Sequence, residues 1–197
     1  MAATETEPNV VFDKEKFLSV VHWVCHFFKG REEQLGRTKL HKILYFADML
    51  CFVDSGRPLT GVDYIKQPYG PTARYLGWAL RALVDAKLIE ISRHDYFGLQ
   101  KFDFVSKAEP RTNMIADREA TLLAEVCDFV AGRSAKEITE ISHAEPWAWV
   151  KFGERIPYGS AYHLAPDRRT PSGEDVAWGY NAAAEIGEAA FNASAPR

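Results

Sequence analysis

Three features of the chain predict a mainly α-helical α+β fold with one small β-hairpin. Apolar residues recur at i, i+3, i+4 spacing in four long segments. The stretches LIEIS at 88–92 and KFDFV at 101–105 instead alternate apolar and polar residues, with Gly98 between them, and read as paired strands. The order helix, helix, extended segment, helix, hairpin, helices resembles a winged-helix core carrying extra helices.

Residues 1–11 are polar and read as a flexible N-terminus. Asp13 can cap a helix to about Lys29, with Phe17, Val20, Val21, Val24 and Phe28 on one face and Gly30 as its stop. After the loop GREEQLGR, Thr38 is the expected cap of a second helix ending at Gly56, with apolar residues on most sides. RPLTGVDYIKQPYG carries too much Gly and Pro for helix and has room for a short strand near Tyr64-Ile65. Pro71 suits the first turn of a third helix, where its missing N–H is no loss, and Leu76, Ala79, Leu80, Leu83 and Val84 make that helix's stripe. A fourth helix is expected over Met114–Ala131, and SAKE at 134–137 has the form of a capping box opening a helix to about His143. EPWAWVKFGERIPYG reads as irregular or a short helical turn. A final Ala-rich helix is expected near 175–191.

Composition narrows the function. The chain has 197 residues, 47% hydrophobic and 26% charged, with a formal net charge of -3, which disfavours nucleic-acid binding by bulk electrostatics. Cys25, Cys51 and Cys127 are odd in number and lie in apolar helical contexts, as expected of buried thiols in a reducing compartment. The start MAATETEPN has neither the basic nor the apolar part of a signal peptide, and no apolar run spans a membrane. A cytoplasmic location is expected.

Catalytic constellations are weak. His22 and His26 in HWVCH stand i, i+4 apart, as two imidazoles sharing a metal would, but no third ligand is implied; the plainer reading is a half-buried helix edge. Thiols in apolar stripes are ordinarily inert. No phosphate-binding glycine motif is present, and Glu32-Glu33 and Glu174-Asp175 are explained by solvation or capping. No enzyme activity, cofactor or metal is expected. A DNA-binding regulator is the rival reading: Arg74, Tyr75, Trp78, Arg81 and Lys87 lie off the apolar stripe of the third helix and could touch a duplex. Tyr, Trp and Arg together also match protein–protein hot spots, and the negative net charge favours that reading. In HAEPWAW, Trp147 and Trp149 serve either the core or a partner.

The stretch KQPYGPTARY at 66–75 places Tyr69-Gly70 between two prolines. Pro68 and Pro71 remove two backbone donors, which disfavours an anion cradle. A plain turn and the rigid lip of a partner-binding face both remain.

TKLHKILYFADMLCFVDSGRPLTG, then YGP eight residues later, then ISHAEPW some seventy residues on, resemble in order and spacing the Panacea domain, the SocA-like antitoxin family also found as a phage-associated domain. The matching positions are Lys39, Leu40, Lys42–Ala47, Gly56, Pro58, Leu59, Tyr69–Pro71, Ser142, His143 and Glu145–Trp147. The resemblance covers 12–158 and leaves 159–197 as an extension. Many members carry Ala-Trp shortly before Tyr-Gly-Pro, where this chain has Lys66-Gln67-Pro68. It implies an antitoxin that neutralises a cognate protein toxin by direct contact, and in one branch an adaptor that hands the toxin to a ClpXP-type protease. Lys66, Gln67, Tyr69, Arg74, Tyr75 and Trp78 are then the expected contacts, with Gly70 and Pro71 fixing the backbone. Lys39, Lys42 and Tyr45 would flank the groove, and His143 and Trp147 complete the surface.

Overall fold

A computed structural model describes residues 10–96, 99–143 and 145–164. All of them belong to the first of two units into which the chain divides, Met1–Leu164 and Ala165–Arg197. Residues 1–9 of the expected flexible terminus and the helix expected near 175–191 lie outside the described residues.

The fold is mainly helical with two small antiparallel sheets. α1 (Lys14–Phe27) is capped by Asp13, whose carboxylate accepts the N–H of Lys16 at 3.0 Å. After a 3-10 turn at Glu32–Gln34, α2 runs from Gly36 to Ser55 and ends at Gly56, whose φ of +71 is the left-handed stop that glycine adopts without strain. Thr38 lies inside this helix, not at its cap. The 3-10 turn already orders the preceding residues, so the helix begins three residues earlier, behind Leu35.

β1 (Tyr64–Gln67) and β2 (Gly70–Ala73) form a hairpin that replaces the expected helical start at Pro71. Pro68 presets φ at the first loop position, and Gly70 turns the chain back with a φ of +90. Pro71 pairs with Lys66 in β2, on a two-stranded sheet where a missing donor is tolerated. α3 therefore starts only at Leu76 and ends at Asp85.

β3 (Ile89–Tyr96) and β4 (Leu99–Ser106) form the expected long hairpin. α4 covers Asp117–Ala131, three residues shorter at its start than the periodicity predicts. α5 (Ala135–Ser142) opens with the expected capping box: Ser134 accepts the N–H of Glu137 at 3.2 Å, and Glu137 accepts that of Ser134 at 2.7 Å. α6 is a single turn, Glu145–Ala148, and a 3-10 turn covers Tyr158–His163.

α2 is the hub. Every residue from Lys42 to Met49 is buried, and α4, α5, β2, β4 and the last 3-10 turn all pack on it. Phe17, Val20, Val21 and Val24 of α1 and Leu123, Val126, Cys127 and Val130 of α4 complete the core, each such side chain contributing roughly 1.5–3 kcal/mol by leaving water. The three cysteines are free and buried, and burial pushes the Cys25 and Cys51 thiols up to about 12. No helix among the described residues is long and apolar enough to cross a membrane.

One buried polar knot positions the first hairpin. Asp48 of α2 is fully buried and accepts four hydrogen bonds: Thr60 N and Oγ1 and the Tyr64 hydroxyl at 2.6 Å each, and Gly61 N at 3.3 Å. These donors fix the loop that leads into β1. On its outer edge β1 pairs with the chain at 153–156: Lys66 N donates to Glu154 O, Gly153 N to Lys66 O and Ile156 N to Tyr64 O, at 2.8–3.0 Å. Both edges of β1 are thereby covered.

Candidate functional site

Three stretches far apart in sequence meet at the β1–β2 hairpin. From α2, the Lys42 ammonium donates to the carbonyls of Tyr69 and Pro71 at 2.5 and 3.0 Å, and the neighbouring His41 Nδ1 accepts the N–H of Ala73 at 3.1 Å. Burial, then Lys42 and Arg37, holds the His41 imidazole down to about 3, so it stays neutral and keeps that acceptor lone pair. From the end of α5, Ser142 stands beside Gly70: a Cβ there would lie 2.6 Å from Ser142 Oγ and 2.5 Å from Lys42 Nζ. Glycine is thus required twice at position 70, by its φ and by this close approach.

Lys42 is 1% exposed and no carboxylate pairs with it among the described residues; burial pulls its ammonium down to about 7. The two carbonyls are its compensation. Tyr45, one turn along α2, is wholly buried, with its ring edge-on to Tyr64 and its hydroxyl without a hydrogen-bond partner. Lys42 and Tyr45 therefore support the hairpin from beneath and do not flank a surface groove. Lys39 is also displaced from the expected cluster: its ammonium reaches the Ala131 carbonyl at the end of α4.

Beside the hairpin, Trp147 donates its indole N–H to the Gln67 carbonyl at 3.3 Å. The His143 ring stacks on Trp147 at 3.9 Å, and the Lys66 ammonium sits 4.0 Å over the same indole. His143 Nε2 is buried without a hydrogen-bond partner, and burial together with Lys42 and Lys66 lowers its affinity for a proton. Phe152, 63% exposed, lies over Lys66 at 5.1 Å and edge-on to Trp147 at 5.9 Å. Tyr69 projects from the hairpin tip, 77% exposed. The result is an apolar, aromatic shelf over one buried cation, braced by a hydrogen bond to backbone.

Arg74 and Tyr75 lie just before α3. Arg74 faces Asp63 at 3.7 Å, and Tyr75 stacks on Phe12 at 5.1 Å, leaving it, like Trp78, 38% exposed. They form a second exposed group at the other end of β2. Phe152 escaped the sequence reading. Its signal is a third aromatic, after Trp147 and Trp149, in a segment too irregular to bury all three.

His22 and His26 do not converge on a metal-like point. The Ser106 hydroxyl stands between them, 3.3 Å from His22 Nε2 and 3.2 Å from His26 Nδ1, and His26 Nε2 lies 3.3 Å from Glu109. Among the described residues no group of three or more His, Cys, Asp or Glu is placed to hold a metal ion.

The family model described as "Antitoxin SocA-like, Panacea domain" matches residues 40–150. The chain belongs to that family. The matched span takes in most of α2, both hairpins and α6, and every contact expected from the sequence except Lys39; Phe152 lies two residues past its end. No curated protein and no solved structure matches the chain. In this Panacea domain Lys42, Gly70 and Ser142, one from each of the stretches 39–47, 69–71 and 142–147, meet at the foot of the β1–β2 hairpin.

Proposed function

We propose that the protein neutralises a cognate toxin by direct, non-catalytic contact through the tip of the β1–β2 hairpin and the aromatic shelf beside it. The observation that carries the reading is the combination of a 77% exposed Tyr69 with a backbone whose Tyr69 and Pro71 carbonyls are both bonded to Lys42 of α2. An exposed aromatic on a preorganised support loses little conformational entropy on binding, which is the economy of interface hot spots. Phe152 and Trp147 extend the surface with aromatic side chains, which are enriched at such interfaces, and Lys66 lies beneath them against both rings. Gln67 borders it, and Arg74, Tyr75 and Trp78 offer a second contact region.

The test is rescue in cells that express the product of the adjacent open reading frame. Tyr69→Ala combined with Phe152→Ala should abolish rescue and co-purification while circular dichroism stays unchanged. A folded double variant that still protects in full would move the surface elsewhere. Toxin half-life in the presence of a ClpXP-type protease separates the two modes of action: a shortened half-life indicates delivery for proteolysis, and an abundant but silent toxin indicates occlusion.

A further inference from the structure

A second surface, sharing no residue with the hairpin tip or the shelf, runs along one face of the β3–β4 hairpin. Two cavities of about 720 and 810 Å³ adjoin there, sharing Arg37 and Phe102. The first lies between α3 and the hairpin, and the second continues past the start of α2 to the start of α5. Leu80, Val84, Ile91 and Phe102 give the first an apolar floor.

The rim is cationic. Arg37, Arg81, Lys87, Arg93 and Lys107 line the first cavity against Asp85 and Glu90, and Lys39 and Lys101 join Arg37 in the second against Glu33. This excess stands on a chain whose formal net charge is -3. Glu90 is already occupied by Lys107 at 2.7 Å, whereas Arg37, Arg81 and Lys87 make no ion pair among the described residues. Two placements are unfavourable for the isolated fold. Arg37 sits in the first turn of α2, at the positive end of the helix dipole. Lys87 holds a φ of +58, the only non-glycine residue described with positive φ. Lys39 is held below its usual range by burial and by the like charge of Lys101.

We infer that this groove binds an acidic, amphipathic peptide segment of a partner protein, apolar side chains on the floor and carboxylates on the rim. The floor, aliphatic except for Phe102 and the buried Phe104, favours a peptide over a phosphate backbone, which needs cations throughout, and over single-stranded nucleic acid, which needs several exposed aromatic platforms. Two cavities in line suit a chain segment better than a compact small molecule. This reading does not depend on the hairpin tip meeting a toxin.

The experiment is fluorescence anisotropy of the full chain with a panel of labelled peptides of about fifteen residues, some 22 Å as a helix. Each carries Leu, Ile or Phe on one helical face and Asp or Glu on the other, with Lys-for-acid counterparts. Acidic members should bind in the micromolar range, weaken as salt rises, and lose about tenfold in affinity on Arg37→Glu/Arg81→Glu. Lys101→Gln, partly exposed on the hairpin and 3.7 Å from Asp103, serves as the second variant and should weaken binding in the same direction, and Tyr69→Ala should bind the peptides normally. The inference is overturned if no acidic member binds, if Lys counterparts bind equally, if charge reversal changes nothing, or if single-stranded or duplex DNA binds more tightly than every peptide.

Discussion

The ammonium of Lys42 lies 2.5 Å from the carbonyl of Tyr69, so the most exposed aromatic of the hairpin is tied through its own backbone to the most buried helix. A buried lysine with no carboxylate is an unusual support, and it has a pH signature. Its folded-state value of about 7 lies below the unfolded value of about 10.4. Between those limits the unfolded chain binds the extra proton, so stability rises with pH from about 7 to about 10. Lys42→Met removes the titrating group and should flatten that rise, while leaving two carbonyls without a donor and speeding amide exchange at the hairpin tip. Urea unfolding at several pH values, with hydrogen exchange, checks both effects.

Much of the fold is legible in local signals that nothing distant overrides. Asp13, Gly56 and the Ser134–Glu137 box end helices where their chemistry says they should. The first hairpin was hidden because its strands have four residues each and Pro71 fits a helix start as well as an edge strand. What decides between them is Lys42 and His41, some thirty residues upstream. The spacing of the Lys39–Ala47, Tyr69–Pro71 and Ser142–Trp147 stretches pointed to one site. The depth of Lys42 and Tyr45 was not visible, since lysine on a helix ordinarily seeks water and a tyrosine stripe looks alike on either side of the surface.

Gly70→Ala tests the tightness of the contact beneath the tip. The added methyl meets Lys42 and Ser142 and must hold a φ of +90, so the variant should lose about 2–4 kcal/mol by combined strain and displacement. Ser142→Ala in the same background relieves one of the two collisions and should recover part of the loss. Thermal denaturation of the two variants measures both changes, and equal stability of Gly70→Ala and the parent would show that the site is loose.

Asp48→Asn asks whether the loop before β1 depends on a carboxylate. Four donors converge on Asp48, and an amide can accept at one atom only while turning its own N–H toward another donor. The expected destabilisation is about 2–4 kcal/mol, with Tyr64 and Thr60 left unsatisfied in the core. Chemical denaturation reads the loss. A loss under about 0.5 kcal/mol would mean that the loop is held by Tyr158, whose hydroxyl donates to Val62 O at 2.8 Å, and not by Asp48.

Lys87 makes the opposite prediction, a gain in stability. The end of α3 has the full Schellman pattern: Lys87 N donates to Val84 O and Leu88 N to Leu83 O, both at 2.9 Å. The residue between them must be left-handed, and glycine is the usual occupant. Lys87→Gly relieves the strain of a side chain there, partly offset by the greater freedom of glycine in the unfolded chain, for a net gain of about 0.5–1 kcal/mol. If the lysine is retained for its charge on the basic groove, the same substitution should weaken acidic-peptide binding as stability rises. Unfolding and anisotropy on one preparation give both numbers. A variant that is more stable and binds as before would leave Lys87 without a role in the groove.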